Sequence, residues 1–102
     1  MTGKILVIDT DDELTQKLSS YLSLEGFETC IATDGETGLK LALNQSFDAI
    51  ILDILLPHKN GFDLVQTLRE YNQTPVIFLT SRQDDIDRLI ALDMGADDYL
   101  LK

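Results

Sequence analysis

Three short apolar runs constrain this chain more than any other feature: KILVID at 4–9, DAIILD at 48–53 and PVIFLT at 75–80. Each is a continuous block of Ile, Val, Leu or Phe with no alternating polar face. Runs of that kind fit strands buried on both sides, which belong to parallel sheets covered by helices. FETCIA at 27–32 is more mixed and suits a sheet edge, and DYLL at 98–101 reads as a short fifth strand.

Between the runs the apolar spacing becomes helical. Leu14, Leu18, Tyr21 and Leu22 form one stripe, with Asp11 or Asp12 placed to cap its start. Leu39, Ala42 and Leu43 form a second, diluted by Gly35 and Gly38; Phe62, Val65 and Leu68 form a third, opened by Asn60-Gly61 after Pro57. Ile86, Leu89, Ile90 and Met94 form a fourth, with Asp84 or Asp85 at its start and Gly95 just past its end. All four stripes read as core-packing faces. Strands alternating with helices predict an α/β doubly wound, five-stranded parallel sheet with right-handed crossovers.

Length and charge set the remaining bounds. The 102 residues are enough for one domain with one core. Eighteen acidic residues against eight basic ones give a net charge of −10 with no Lys/Arg stripe, so the domain alone is expected to bind no nucleic acid. No apolar run approaches a bilayer span and no signal peptide opens the chain, which predicts a cytoplasmic protein with no membrane partner. The single cysteine, Cys30 in TCIA, reads as a small buried filler, and the single histidine, His58 in LPHKNG, as a surface residue.

In doubly wound sheets the functional crevice lies outside the carboxyl ends of the strands. Here those ends are Asp9, Asp53, Thr80 and Lys102. Singly, each has an ordinary explanation as a turn, cap or surface residue. Together, two acids, a hydroxyl and a cation on one rim suit phosphoryl chemistry. A carboxylate can become an aspartyl phosphate, Mg²⁺ held by carboxylates can neutralise the transferring oxygens, and a lysine can supply a compact positive charge.

These residues resemble the receiver domain of bacterial two-component response regulators, over the whole chain. LDILLP with Asp53 is similar to the phosphoacceptor strand, PVIFLTSR to the strand ending in the switch threonine, Thr80, and DRLIALDMGADDYLLK to the segment with the switch aromatic, Tyr99, and the active-site lysine, Lys102. LTSR and GADDYL are similar to the winged-helix DNA-binding subfamily typified by OmpR, PhoB and CpxR. The resemblance implies the flavodoxin-like strand order 2-1-3-4-5. It further implies phosphorylation of Asp53 by a sensor histidine kinase, with Mg²⁺ held by Asp9, Asp53 and the Leu55 backbone carbonyl. It implies control of a DNA-binding transcription output in the full regulator, and places Leu55 and Arg82 at positions that tune phosphate lifetime. A homodimer through helix four and strand five is implied as well, with Arg88, Asp97 and Asp98 on that face. The domain would catalyse only its own phosphorylation and dephosphorylation.

Two departures from the family pattern stand out. The first strand usually ends in two acids, whereas here Thr10 follows Asp9, so Thr10 is expected to act on Mg²⁺ weakly or through water. The family also continues past the lysine with Pro-Phe, a loop and a fifth helix; this sequence stops at Lys102, which reads as a receiver domain over 1–102 truncated before its final helix. The loss of that cover predicts marginal stability, or association that does not depend on phosphorylation. Two rival readings follow from Thr10. One is a phosphorylation-defective pseudo-receiver that serves as an interaction module. The other is a haloacid-dehalogenase-type phosphatase, in which VIDTDDEL would supply Asp9 as nucleophile and Asp11 as acid/base, although Glu13 breaks that motif.

Overall fold

The computed structural model describes residues 3–56, 59–80 and 98–101. The elements run β1 (Gly3–Ile8), α1 (Asp12–Leu24), β2 (Phe27–Ala32), α2 (Gly35–Asn44), β3 (Ala49–Asp53), β4 (Leu55–Leu56), β5 (Lys59–Asn60), α3 (Gly61–Arg69), β6 (Val76–Thr80) and β7 (Asp98–Leu101). β2, β1, β3, β6 and β7 form one five-stranded sheet in that order, every neighbouring pair parallel. This is the flavodoxin-like α/β arrangement expected from the sequence, counted over the main strands. β4 and β5, a separate antiparallel pair, were not expected, because two-residue strands leave no periodicity to read.

The strand order and right-handed crossovers put α1 on one face and α2 and α3 on the other. On the α2/α3 face the core is Leu6, Ile8, Ile50, Leu52, Val76 and Phe78, packed against Phe62, Val65 and Leu68 of α3. The rings of Phe62 and Phe78 meet at 5.4 Å between centroids with a tilt of 59°, a favoured aromatic geometry. The opposite face is less evenly covered. Val7 of β1 is fully buried, whereas Ile51 of β3 and Ile77 of β6 remain half-buried.

Each described helix begins on a polar cap. Asp11, Asp34 and Asn60 accept the N–H groups of Leu14, Thr37 and Phe62 at 3.1, 2.7 and 2.7 Å. Such caps satisfy N–H groups that the first helical turn leaves unpaired. Past the end of α1, Gly26 has a φ of 91°, the left-handed conformation that glycine adopts without penalty, and the chain turns there into β2.

Three packing expectations need correction. Tyr21 is 61% exposed, since α1 rests on the sheet through Thr15 and the half-buried Leu14, Leu18 and Leu22 and turns Tyr21 outward. Leu43 is exposed at an open cleft of about 740 Å³ that it shares with Phe47 and Tyr71. Cys30 is half-buried, because it lies on the edge strand, though it still packs against the core. The rest of the edge strand β2 is half-buried apart from the exposed Glu28 and the buried Ala32. The fourth apolar stripe, with Asp84, Asp85 and Gly95, lies outside the described residues.

Candidate functional site

The sheet register brings the two predicted acids together. Ile8 pairs with Leu52 across the β1–β3 ladder, and Asp9 and Asp53 are the next residues on those adjacent strands. Both are buried, Asp9 to 1% and Asp53 to 7% exposure. Burying charged side chains is unfavourable unless they are paired or hydrogen-bonded, so two buried carboxylates at one strand rim mark chemistry rather than packing. Asp53 pairs with Leu79 in β6, which puts Thr80, the last residue of that strand, at the same rim. Thr80 in turn pairs with Leu101 of β7.

The backbone holds the first acid closely. The Asp9 N–H donates to the Ala32 carbonyl at 3.1 Å, and Asp9 Oδ1 accepts the Asp11 N–H at 3.0 Å. Thr10 between them is exposed, in contrast to its buried predecessor. Asp11 uses its carboxylate to cap α1.

The second acid is held from behind. The Ile54 N–H donates to the Leu79 carbonyl at 3.2 Å and the Gly61 N–H to the Ile54 carbonyl at 2.8 Å. Between those residues β4 and β5 fold the loop back on itself, with Leu55 opposite Asn60. Gly61, the first residue of α3, lies against the acceptor strand: a Cβ there would stand 2.8 Å from the Asp53 carbonyl oxygen and 2.9 Å from Ile54 Cα. Gly38 makes the matching approach of α2 to β1, where a Cβ would meet three side-chain carbons of Ile8 at 2.5–3.0 Å. The sequence reading passed over both glycines, taking one as a diluted helix and the other as a helix opening. The available signal was Gly38, a glycine inside a helical pattern, which is costly unless something approaches closely; Gly61 at a helix start carries no such mark.

The rim is acidic well beyond Asp9 and Asp53. Helices α1, α2 and α3 all start there and carry Asp12, Glu13, Glu36 and Asp63 in their first turns. The Asp34 carboxyl is held below its ordinary value, chiefly by the Thr37 N–H and then by the Thr37 hydroxyl, both of which donate to it. Among the described residues no group of three or more His, Cys, Asp or Glu side chains is arranged to hold a metal. The site therefore offers two buried carboxylates. Magnesium commonly binds through one or two carboxylates and keeps several waters, so the oxygen donors present fit it.

The other predicted residues are placed less fully. Leu55 lies in β4; Tyr99 lies in β7, paired with Phe78, and Asp98 opens that strand opposite Ile77. Lys102, Arg82, Arg88, Asp97 and His58 lie outside the described residues. Among the described residues no helix is long and apolar enough to cross a membrane.

The pattern of the response regulator receiver domain matches residues 5–102. The transcriptional regulatory protein CpxR of Escherichia coli is 50% identical over 100 residues, covering 98% of this chain and 43% of CpxR. SrrA of Staphylococcus aureus, also a transcriptional regulatory protein, is 36% identical over 102 residues, covering 100% of this chain and 42% of its own. Among solved structures, a two-component response regulator from Clostridium difficile superposes with a TM-score of 0.90 at 33% identity, covering 98% of this chain and 83% of that one. The chain thus spans less than half the length of these curated relatives. Nothing in the matches supports the phosphatase-like reading of Asp9 and Asp11 or the pseudo-receiver. From the sheet order, the buried acid pair and these matches together, the chain belongs to the response regulator receiver domain family, close to receivers of the CpxR type.

Proposed function

We propose that residues 1–102 form one receiver domain that works as a phosphorylation-dependent switch, with Asp53 as the phosphoacceptor. The observation that carries this reading is the burial of Asp9 and Asp53 at adjacent strand ends of a receiver sheet. Side-by-side carboxylates supply the oxygen donors that a hard cation such as Mg²⁺ takes. Asp9, Asp53 and the Leu55 carbonyl would hold Mg²⁺, with Thr10 acting weakly or through water. When bound, the cation neutralises charge on the transferring phosphoryl oxygens.

The Asp53 carboxylate acts as the nucleophile. A bond forms from its oxygen to phosphorus, the phosphorus–nitrogen bond of a phosphohistidine donor breaks, and the electron pair leaves on the imidazole. Lys102 places a compact cation beside the new acyl phosphate, and the Thr80 hydroxyl bonds one of its oxygens. Tyr99 then turns inward and alters the surface of helix four and strand five, where Arg88, Asp97 and Asp98 serve a homodimer. A small charge event thereby biases a two-state element.

Response regulators as a class work with sensor histidine kinases; the donor here is such a kinase, and the domain itself works in the cytoplasm. The domain is a signalling component rather than a conventional enzyme, and the full regulator turns its state into transcription control, as CpxR's name states for that relative. Intact-mass measurement after incubation with acetyl phosphate and Mg²⁺ tests the site. One phosphoryl group should appear on the wild type and none on Asp53→Asn. Label that survives in Asp53→Asn and disappears in Asp9→Asn would overturn the assignment.

A further inference from the structure

Gly38, inside α2, and Gly61, the first residue of α3, are both buried, and glycine is among the poorest residues for helix formation. Neither has the positive φ that makes glycine necessary at Gly26. Conformation therefore gives no reason for them, and space does. At Gly61 the atoms a Cβ would strike are backbone: the Asp53 carbonyl oxygen at 2.8 Å, Ile54 Cα at 2.9 Å and the Ile54 carbonyl oxygen at 3.1 Å. Backbone cannot rotate away, so any side chain there displaces the peptide that joins Asp53 to Ile54. At Gly38 the atoms are Ile8 Cδ1, Cγ1 and Cγ2 at 2.5, 2.8 and 3.0 Å. Ile8 is fully buried in the core with Ala32 and Ala42, so the side chain has no open space to enter. It is also the residue next to Asp9.

From this pairing we infer that Gly38 and Gly61 are positioning residues for the cation site. Each lets one helix rest on the strand end that carries one carboxylate, and together they set where Asp9 and Asp53 stand. The inference rests on the reading of this rim as the Mg²⁺-dependent phosphorylation site and names the part of the fold that tunes it. Mg²⁺ demands near-ideal octahedral geometry at short range, so shifts of a few tenths of an ångström in either carboxylate matter to it in a way that a packing defect elsewhere does not.

The test is Mg²⁺ titration of the 102-residue chain, followed by calorimetry and by amide resonances, with thermal stability measured in parallel. Gly38→Ala and Gly61→Ala should each weaken Mg²⁺ roughly tenfold or more, the size of effect that supporting residues have on metal affinity. Leu68→Ala leaves a cavity in the core under the far end of α3; it should lower stability while leaving Mg²⁺ affinity near the wild-type value. Ile8→Val combined with Gly38→Ala removes the methyl in closest conflict and should recover most of the lost affinity. In the wild type, the amides of Gly38, Ile54 and Gly61 should shift along the Mg²⁺ saturation curve, a readout available even if Gly61→Ala does not fold. Wild-type affinity in both glycine variants, recovery of stability without affinity in the double variant, or unmoved amides would each overturn the inference. Asp53→Asn separates it from the reading beneath it. If that variant keeps wild-type Mg²⁺ affinity, the site assignment itself fails; if it loses Mg²⁺ while the glycine variants do not, only the role of the glycines fails.

Discussion

The backbone N–H of Asp11 donates to Asp9 Oδ1 at 3.0 Å, while the Asp11 carboxylate turns away to accept the Leu14 N–H at 3.1 Å. One acid is thus held in the site by the next acid's main chain, and the second is committed to starting α1. Thr10, between them, is exposed and carries no charge to offer a cation.

Replacing Thr10 should therefore strengthen the site. Thr10→Asp is expected to tighten Mg²⁺ by roughly 10–100-fold, since even supporting residues change metal affinity by that much. Asp11→Asn should bind Mg²⁺ nearly as the wild type does, because asparagine caps helices about as well as aspartate. Calorimetric titration distinguishes this from a shifted ligand, for which Thr10→Asp would gain nothing and Asp11→Asn would lose the metal.

Asn60 ties the loop after Asp53 to α3 through the Phe62 N–H at 2.7 Å. Removing that acceptor in Asn60→Ala should destabilise the domain by roughly 0.5–2 kcal/mol. Urea unfolding measures it, and an unchanged midpoint would show that another group takes over the cap.

Acid should loosen α2 through Asp34. Its carboxyl is held below the ordinary value of 3.8 by the N–H and hydroxyl of Thr37. A lowered folded-state value means the stabilisation is fully present above 3.8 and is lost as pH falls through the still lower value in the folded protein. Asp34→Asn keeps a capping oxygen without the charge, so its stability should depend less on pH than the wild type's as the solution falls below about pH 4. Parallel denaturation series across that window check the slope.

Ile51 and Ile77 are half-buried on the α1 side, while Leu52 and Phe78 beside them are fully buried on the other. Incompletely covered apolar surface favours association. The 102-residue chain is expected to self-associate with rising concentration whether or not it is phosphorylated. Sedimentation that shows a stable monomer, dimeric only after phosphorylation, contradicts this.

The main strands were legible because burial on both faces leaves a direct mark in composition: KILVID, DAIILD and PVIFLT had no polar face to obscure them. The meeting of Asp9 and Asp53 at one rim was legible for the same reason, each being the first acid after such a run. What escaped was set by contact rather than by pattern. Gly38 reads as a weak helix position until Ile8 is placed beneath it, and Gly61 as a turn residue until α3 is seen against the Asp53 carbonyl. Tyr21 misled for a related reason. Helical spacing says which residues share a stripe, but where the stripe's edge falls depends on how α1 sits over its strands.

The register of β1 also bears on how the domain comes into being. Ile5 pairs with Thr29 on one side and with Ala49 on the other, so the central ladder joins segments far apart in the chain. No hairpin can nucleate a parallel pair, and closing such long loops slows folding relative to locally paired proteins. During synthesis the apolar LVI of β1 must wait, uncovered, until residues 49–53 arrive. In that interval the growing chain is open to chaperones or to misassociation. The two buried acids meet only when this ladder closes, so any cation that needs both of them must wait for the fold to be complete.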